Sequence, residues 1–186
     1  MSVFPKPYAD RVARLRVTTG FLLAAAFAWF SQPDSHSLDW GLPLSLLGLL
    51  LRCWAAGHLE KNVRLAVTGP YAYVRNPLYL GTLLVAAGLL VASRRWVLAF
   101  LFVLVFSLIY LPVIELEEQH LSNLFPEFPQ YAKRVRALWP GWNGSPGARR
   151  EFQWNLYVRN REYQALLGFL AGAALLIGKV MVRAMR

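Results

Sequence analysis

Trp96-Val97-Leu98-Ala99-Phe100-Leu101-Phe102-Val103-Leu104-Val105-Phe106-Ser107-Leu108-Ile109-Tyr110-Leu111-Pro112-Val113-Ile114 contains no charged side chain. Coiled as a helix at about 1.5 Å per residue, it approaches the roughly 20 residues that cross about 30 Å of hydrocarbon. The run at 165–182 does the same, while those at 17–30, 42–56 and 78–92 must borrow flanking residues or thin the bilayer. These runs predict an all-α polytopic integral membrane protein, a single domain over residues 1–186 with five transmembrane helices. The spans fall at about 15–31, 41–57, 77–92, 95–114 and 163–182, with a cytoplasmic arm at 115–162. Composition agrees: of 186 residues 56% are hydrophobic and 16% charged, with mean hydropathy +0.37, where a soluble domain carries about 25% charged residues. Such hydrophobicity excludes a disordered or nucleic-acid-binding chain. With Cys53 alone, there is neither an internal disulfide nor a cysteine-based zinc site. The first run is followed by Ser31-Gln32-Pro33-Asp34, which is no cleavage site, so it reads as a retained helix.

The net charge is +10, and fourteen of the twenty Lys and Arg fall before the first apolar run at 17–30, in 57–77 or in the arm. The positive-inside rule puts those segments and the amino terminus in the cytoplasm. Arg94, Arg95, Lys179, Arg183 and Arg186 then lie on the opposite face. Both long polar segments share the cytoplasmic face, as candidates for two walls of one site, since irregular backbone near lipid is tolerated where it packs on protein or lines a cavity.

Thr68-Gly69-Pro70-Tyr71-Ala72-Tyr73-Val74-Arg75-Asn76-Pro77-Leu78-Tyr79-Leu80-Gly81 opens with a turn signal, and Asn-Pro fixes Pro77 as the first residue of a helix. A helix start with Arg75 beside it suits a carboxylate or phosphate, whereas Arg75 as a headgroup anchor with tyrosines in an interfacial belt is the structural alternative. Glu115, Glu117 and Glu118 follow the apolar run directly, where a helix carboxyl end disfavours acids unless the helix continues or a cation lies near. The aromatic, basic stretch 125–140 fits either an amphipathic surface helix or a lid folded back over a pocket. His36, His58 and His120 share no ligand spacing, so no metal site is expected, and no Gly-x-Gly-x-x-Gly follows a strand. Gly168 and Gly172 read as a helix-packing pair, and Arg52 as a snorkelling side chain.

Thr68-Gly69-Pro70-Tyr71, Arg75-Asn76-Pro77-Leu78-Tyr79-Leu80-Gly81, Glu117-Glu118, Leu121, Phe125, Tyr131, Arg134-Val135 and Pro140 together resemble the isoprenylcysteine carboxyl methyltransferase family of integral-membrane methyltransferases, in its short prokaryotic form. The resemblance implies S-adenosyl-L-methionine bound at the cytoplasmic face of a prokaryotic cytoplasmic membrane. Matching the family's cofactor motif are Leu65, Ala66, Tyr71, Asn76, Pro77, Leu78, Tyr79 and Glu117. Arg75 and Glu118 are the catalytic candidates, Glu118 as a base toward a thiol or amine acceptor. The carboxylate of the cofactor suits Arg75 and the helix start, and its ammonium and sulfonium suit the acids and aromatic faces. Asn76 stands where the family usually has His, Val113 where eukaryotic members have an Arg for the substrate carboxylate, and Arg136 where Pro is common.

The expected function is methyl transfer from S-adenosylmethionine to a lipophilic small-molecule or prenylated acceptor entering from membrane lipid, with no nucleic acid and no obligate protein partner. Rivals are a phospholipid or thiol methyltransferase of the same architecture, and an NADPH-dependent sterol-type reductase.

Overall fold

The computed structural model describes residues 4–141 and 150–185. Its helices are α1 (Lys6–Phe30), α2 (Ser35–Ala56), α3 (Pro77–Ser93), α4 (Trp96–Val105), α5 (Leu111–Leu124), α6 (Phe128–Arg134), α7 (Trp154–Arg159) and α8 (Tyr163–Ala184). A 3-10 turn occupies Gly69–Ala72, and a π turn at Phe106–Tyr110 joins α4 to α5. No strand occurs among the described residues. α1, α2, α8 and the continuous Trp96–Leu124 helix are long and apolar enough to cross a membrane, while the apolar α3 is shorter at 17 residues. The chain is an all-helical polytopic membrane protein, as its hydropathy predicts.

Three boundaries differ from expectation, the smallest shift being the start of α2 at Ser35 rather than about 41. α1 takes in the polar residues from Lys6 onward, starting between Pro5 and Pro7, where a missing N–H costs nothing. The fourth span does not end at Ile114 but runs on to Leu124, so the arm starts later than residue 115. Glu, Leu and Gln at 115–119 are good helix formers, and the helix stops where Phe125 precedes Pro126. The acids therefore lie inside a helix, and the unfavourable placement at its carboxyl end does not arise. The arm's residues 142–149 lie outside the described residues.

The chain forms two compact units. The first comprises Met1–Pro43, Ala86–His120 and Ala171–Arg186. Here Pro112 cannot donate to the Leu108 carbonyl, and the Tyr8 hydroxyl of α1 donates to that carbonyl at 2.7 Å. The π turn lies immediately before this proline, where a break in the helical ladder is accommodated. α3 ends with all four of its last carbonyls satisfied: Leu90 by the Ser93 hydroxyl, Val91 by the Arg94 N–H, Ala92 by the Ser37 hydroxyl and Ser93 by the Gln32 N–H. Asp34 and Ser37 cap α2 reciprocally, the Ser37 N–H reaching Asp34 Oδ1 at 2.8 Å and the Asp34 N–H reaching Ser37 Oγ at 3.0 Å. The Ser37 backbone N–H, above all, holds the Asp34 carboxyl below the ordinary carboxylate range.

Three of the cations expected on the face opposite the amino terminus serve the end of α1 and the turn that follows it. Lys179 Nζ donates to the Ser31 carbonyl at 2.8 Å, Arg95 Nε to that of Phe30 at 3.2 Å and Arg183 Nη1 to that of Pro33 at 3.2 Å. Arg94 pairs with Asp34. Positive charge at a helix carboxyl end is favourable, so these residues have a structural use independent of topology.

The second unit comprises Leu44–Val85 and Leu121–Leu170. Its core is Phe125, Phe128, Tyr131 and Val135, with Leu65, Val67, Leu121 and Ala132 packed against them. Residues 125–135 are thus packed against the 57–76 loop. Arg52 does not snorkel: Nε and Nη2 form a fork onto Glu162 at 3.0 and 2.9 Å, with both side chains largely buried. Asn160 Nδ2 donates to the carbonyls of Ala56 and Leu59, closing the end of α2.

Close helix approach is found between α2 and α3. In the second unit a Cβ on Gly48 would lie 2.6 Å from the Gly81 carbonyl oxygen and the Val85 nitrogen, and Ser45 Oγ donates to the Val85 carbonyl at 2.9 Å. In the first, a Cβ on Gly41 would lie 2.5 Å from the Gly88 carbonyl oxygen. Gly168 and Gly172 do not make the expected packing pair. Among the described residues nothing lies within 4 Å of a Cβ on Gly168, and only Leu89 approaches Gly172, at 3.8 Å. Gly48→Ala therefore drives a methyl into backbone and should cost about 1–3 kcal/mol. Gly168→Ala should be neutral or slightly stabilising, because Ala exceeds Gly in helix propensity by about 1 kcal/mol. Melting temperatures of the two variants in detergent, set against the unaltered protein, check this.

Candidate functional site

The sequence-predicted loop lies in the second unit, and its shape follows from a few residues. Gly69 adopts φ +59°, and a Cβ there would lie 2.6 Å from the His58 ring, so the position requires glycine on two counts. Pro70 supplies a helical φ for the 3-10 turn, whose bonds run from the Tyr71 N–H to Thr68 and from the Tyr73 N–H to Pro70. The chain then pairs with the arm: the N–H of Arg75 reaches the Arg136 carbonyl at 2.9 Å, that of Asn76 reaches Ala137 at 3.1 Å, and that of Gly141 returns to Tyr73 at 2.9 Å. Arg136, in place of the family's proline, thus stands in a backbone pairing. α3 begins at Pro77, as Asn-Pro predicts, and its ladder opens with the Leu80 N–H on the Asn76 carbonyl at 3.0 Å.

Two side chains lock loop and arm together. Arg75 Nη1 donates to the carbonyls of Ala132 and Val135 at 2.6 and 2.9 Å, closing the carboxyl end of α6. The Tyr131 hydroxyl donates to the Tyr71 carbonyl at 2.6 Å. Leu65, Ala66, Tyr71, Arg75, Asn76, Pro77, Leu78 and Tyr79 all belong to this unit, with Tyr71 and Pro77 buried and the others half-buried. Glu117 and Glu118 belong to the first unit, on α5. Glu117 is exposed and lies 3.7 Å from Arg16 Nη1 of α1, and Glu115 Oε2 accepts the Phe4 N–H at 3.3 Å. Val113, on the same helix, is buried.

Sequence reasoning missed the Arg52–Glu162 pair and Asn160. A charged residue inside an apolar helix is a signal that could have pointed to Arg52, since such residues seek a buried partner. A shallow indentation in the second unit is lined by Gly57, His58, Arg64, Arg150 and Leu156, and includes none of the expected cofactor-binding residues. Two of these lining residues share the Glu60 carboxylate, Arg64 paired with it and Arg150 Nη1 3.7 Å from it. Burial holds the His58 imidazole below its ordinary pKa, with Nδ1 3.3 Å from Thr68 Oγ1. Burial likewise pushes the Tyr157 phenol up. No group of three His, Cys, Asp or Glu able to hold a metal occurs among the described residues.

Comparison with known proteins places the chain. The model of the family described as phospholipid methyltransferase matches residues 40–127, which include the loop, the start of α3 and both acids. The cobalt-zinc-cadmium resistance protein CzcN of Cupriavidus metallidurans is 34% identical over 158 residues, 80% of this chain and 70% of that protein. The nickel-cobalt-cadmium resistance protein NccN of Alcaligenes xylosoxydans xylosoxydans is 34% identical over 137 residues, 70% of this chain and 64% of that protein. No solved structure matches. The chain belongs to the phospholipid methyltransferase family, the group of integral-membrane methyltransferases to which the isoprenylcysteine carboxyl methyltransferase pattern also leads.

The lowered pKa of His58 has a definite sign. The folded state favours neutral imidazole, so the stability it contributes is complete above the unfolded value of about 6.5 and is lost as pH falls toward the lower folded value. The melting temperature should drop on acidification from about pH 7 to pH 5, and His58→Gln should flatten that part of the profile.

Proposed function

We propose that this chain transfers a methyl group from S-adenosylmethionine to a lipophilic acceptor dissolved in the membrane, at the cytoplasmic face and with the amino terminus cytoplasmic. The observation that carries the proposal is membership of a membrane methyltransferase family, with the matched segment containing Tyr71, Asn76 to Tyr79 and Glu117. The donor set suits the cofactor: amide, backbone N–H and carboxylate groups answer its carboxylate and its ammonium. When bound, S-adenosylmethionine supplies a methyl group activated by a sulfonium.

Asn76 and the first turn of α3 are assigned to the carboxylate, Tyr71, Tyr79, Leu65 and Ala66 to the rest of the cofactor surface, and Glu117 to the ammonium. These assignments rest on the motif. Arg75 acts by holding α6 against the loop. A carboxylate acceptor needs no base, and Glu118 is assigned to take the proton of a thiol or amine. A buried Val113 in place of an arginine favours an acceptor other than a prenylcysteine carboxylate. The metal-resistance names of both relatives motivate a second element of the proposal, that methylation by this chain contributes to tolerance of cobalt, zinc, nickel or cadmium.

Calorimetric titration of the detergent-solubilised protein should give saturable heat with S-adenosylmethionine and none with NADPH. Glu117→Gln should weaken binding about tenfold or more, the worth of a hydrogen bond to a charged group. Absence of heat with S-adenosylmethionine would sink the methyltransferase reading, and heat with NADPH alone would favour a reductase. Unchanged growth of a deletion strain on all four metals would remove the physiological element alone.

A further inference from the structure

We infer that the end of the first unit at which α1 stops binds the phosphate of an anionic phospholipid through the guanidinium groups of Arg94, Arg95 and Arg183. The site goes beyond the proposed methyl transfer and does not rest on it. All three arginines are anchored on one short turn. Arg95 Nε donates to the Phe30 carbonyl, Arg183 Nη1 to the Pro33 carbonyl and Arg94 Nη1 to the Asp34 carboxylate. Residues 30–34 reach at most about 14 Å even fully extended, so guanidinium groups from α8 and from the α3–α4 turn gather over one small patch.

Closing a carbonyl takes one N–H, and a guanidinium has five. Among the described residues, Nη1 and Nη2 of Arg95 and Nε and Nη2 of Arg183 meet no protein acceptor, and both residues are exposed. Lys179 and Arg52 differ in this respect. Lys179 Nζ faces the Trp29 carbonyl and both oxygens of Ser31, and all three nitrogens of Arg52 lie on protein oxygens. Those two cations are structural, whereas Arg95 and Arg183 keep forked donors for a ligand. Arg94 adopts φ +54° just past the end of α3, where a helix most readily takes glycine. Its side chain thus stands at a strained position and adds to the positive charge of Arg95, Lys179 and Arg183. Against these four, the described residues at this end set Asp34 and Asp39. A phosphodiester answers both features, since its paired oxygens match the guanidinium fork and its charge offsets the gathered cations. The level in the bilayer also fits a headgroup. Trp29, next to the end of α1, and Trp96, the first residue of α4, are exposed, and Trp rings favour the boundary between acyl chains and headgroups. Apolar rings beside the arginines favour a lipid over free phosphate.

The test is native mass spectrometry of the detergent-solubilised full chain with phosphatidylglycerol, phosphatidylcholine or inorganic phosphate, beside melting temperatures. Phosphatidylglycerol should bind saturably and about tenfold more tightly than phosphatidylcholine, whose ammonium meets like charge, and excess inorganic phosphate should not displace it. Arg95→Gln/Arg183→Gln should weaken phosphatidylglycerol binding about tenfold. Arg94→Gly relaxes the backbone and removes only an exposed ion pair, so it should weaken binding about fivefold with the melting temperature unchanged or raised. If the double variant does not fold, Arg94→Gly carries the test. Arg11→Gln/Arg14→Gln, which removes equal charge from the exposed amino-terminal part of α1, should stay within twofold of the unaltered protein. Equal affinity for the two lipids, arginine variants of this end within twofold of the unaltered protein, or an equal loss in Arg11→Gln/Arg14→Gln would overturn the site. Displacement by inorganic phosphate would overturn the lipid as its occupant.

Discussion

A backbone carbonyl that leaves its helix ladder near lipid must find another donor, because hydrocarbon offers none. This constraint accounts for a recurring set of side-chain hydrogen bonds. Tyr8 serves the carbonyl released by Pro112, Lys179, Arg95 and Arg183 serve the end of α1, Asn160 serves the end of α2, and Arg75 serves the end of α6. α3 is closed by two hydroxyls and two backbone N–H groups. Several such donors are charged, so part of the +10 of the chain answers the partial negative charge of helix ends. A count of basic residues by face treats every Lys and Arg as a topological signal, and the three cations on the end of α1 have a different physical origin.

The same demand shapes the loop that carries the family motif. Its irregular backbone is tolerated because the arm supplies pairing: extended bonds at 75–76 with 136–137, the Tyr131 hydroxyl, and a core of Phe125, Phe128, Tyr131 and Val135 beneath Leu65 and Val67. Arg75, which sequence reasoning placed beside an anion, spends one nitrogen on two carbonyls of α6. A loop held at so many points keeps the start of α3 in one geometry, which is what binding a charged small molecule at backbone donors requires.

Features of short range were legible in the sequence. Hydropathy located the apolar helices, Asn-Pro located the start of α3, and Gly69 marked a turn that the structure realises at positive φ. Features of long range were not. The acids at 115–118 looked like the end of a helix because hydropathy falls there, although their helix propensity carries α5 on to Leu124. Gly168 and Gly172 satisfied a packing pattern that nothing in their own helix could test, while Gly41 and Gly48, seven apart, carry the close approach. The partners of Arg52 and Asn160 lie some hundred positions away in the chain, and pairing across that distance leaves no local pattern.

The shortness of α3 bears on how the chain reaches its place in the bilayer. An apolar helix of 17 residues is a weak solitary candidate for insertion, below the length a full crossing asks. α2 precedes it directly in the chain and offers it glycine-lined contacts at Gly41 and Gly48 and a hydroxyl at Ser45. The two helices together satisfy groups that either alone would carry bare into lipid. As the chain leaves the ribosome, α2 is long and apolar enough to cross by itself, and α3 is best regarded as entering with that partner already in hand.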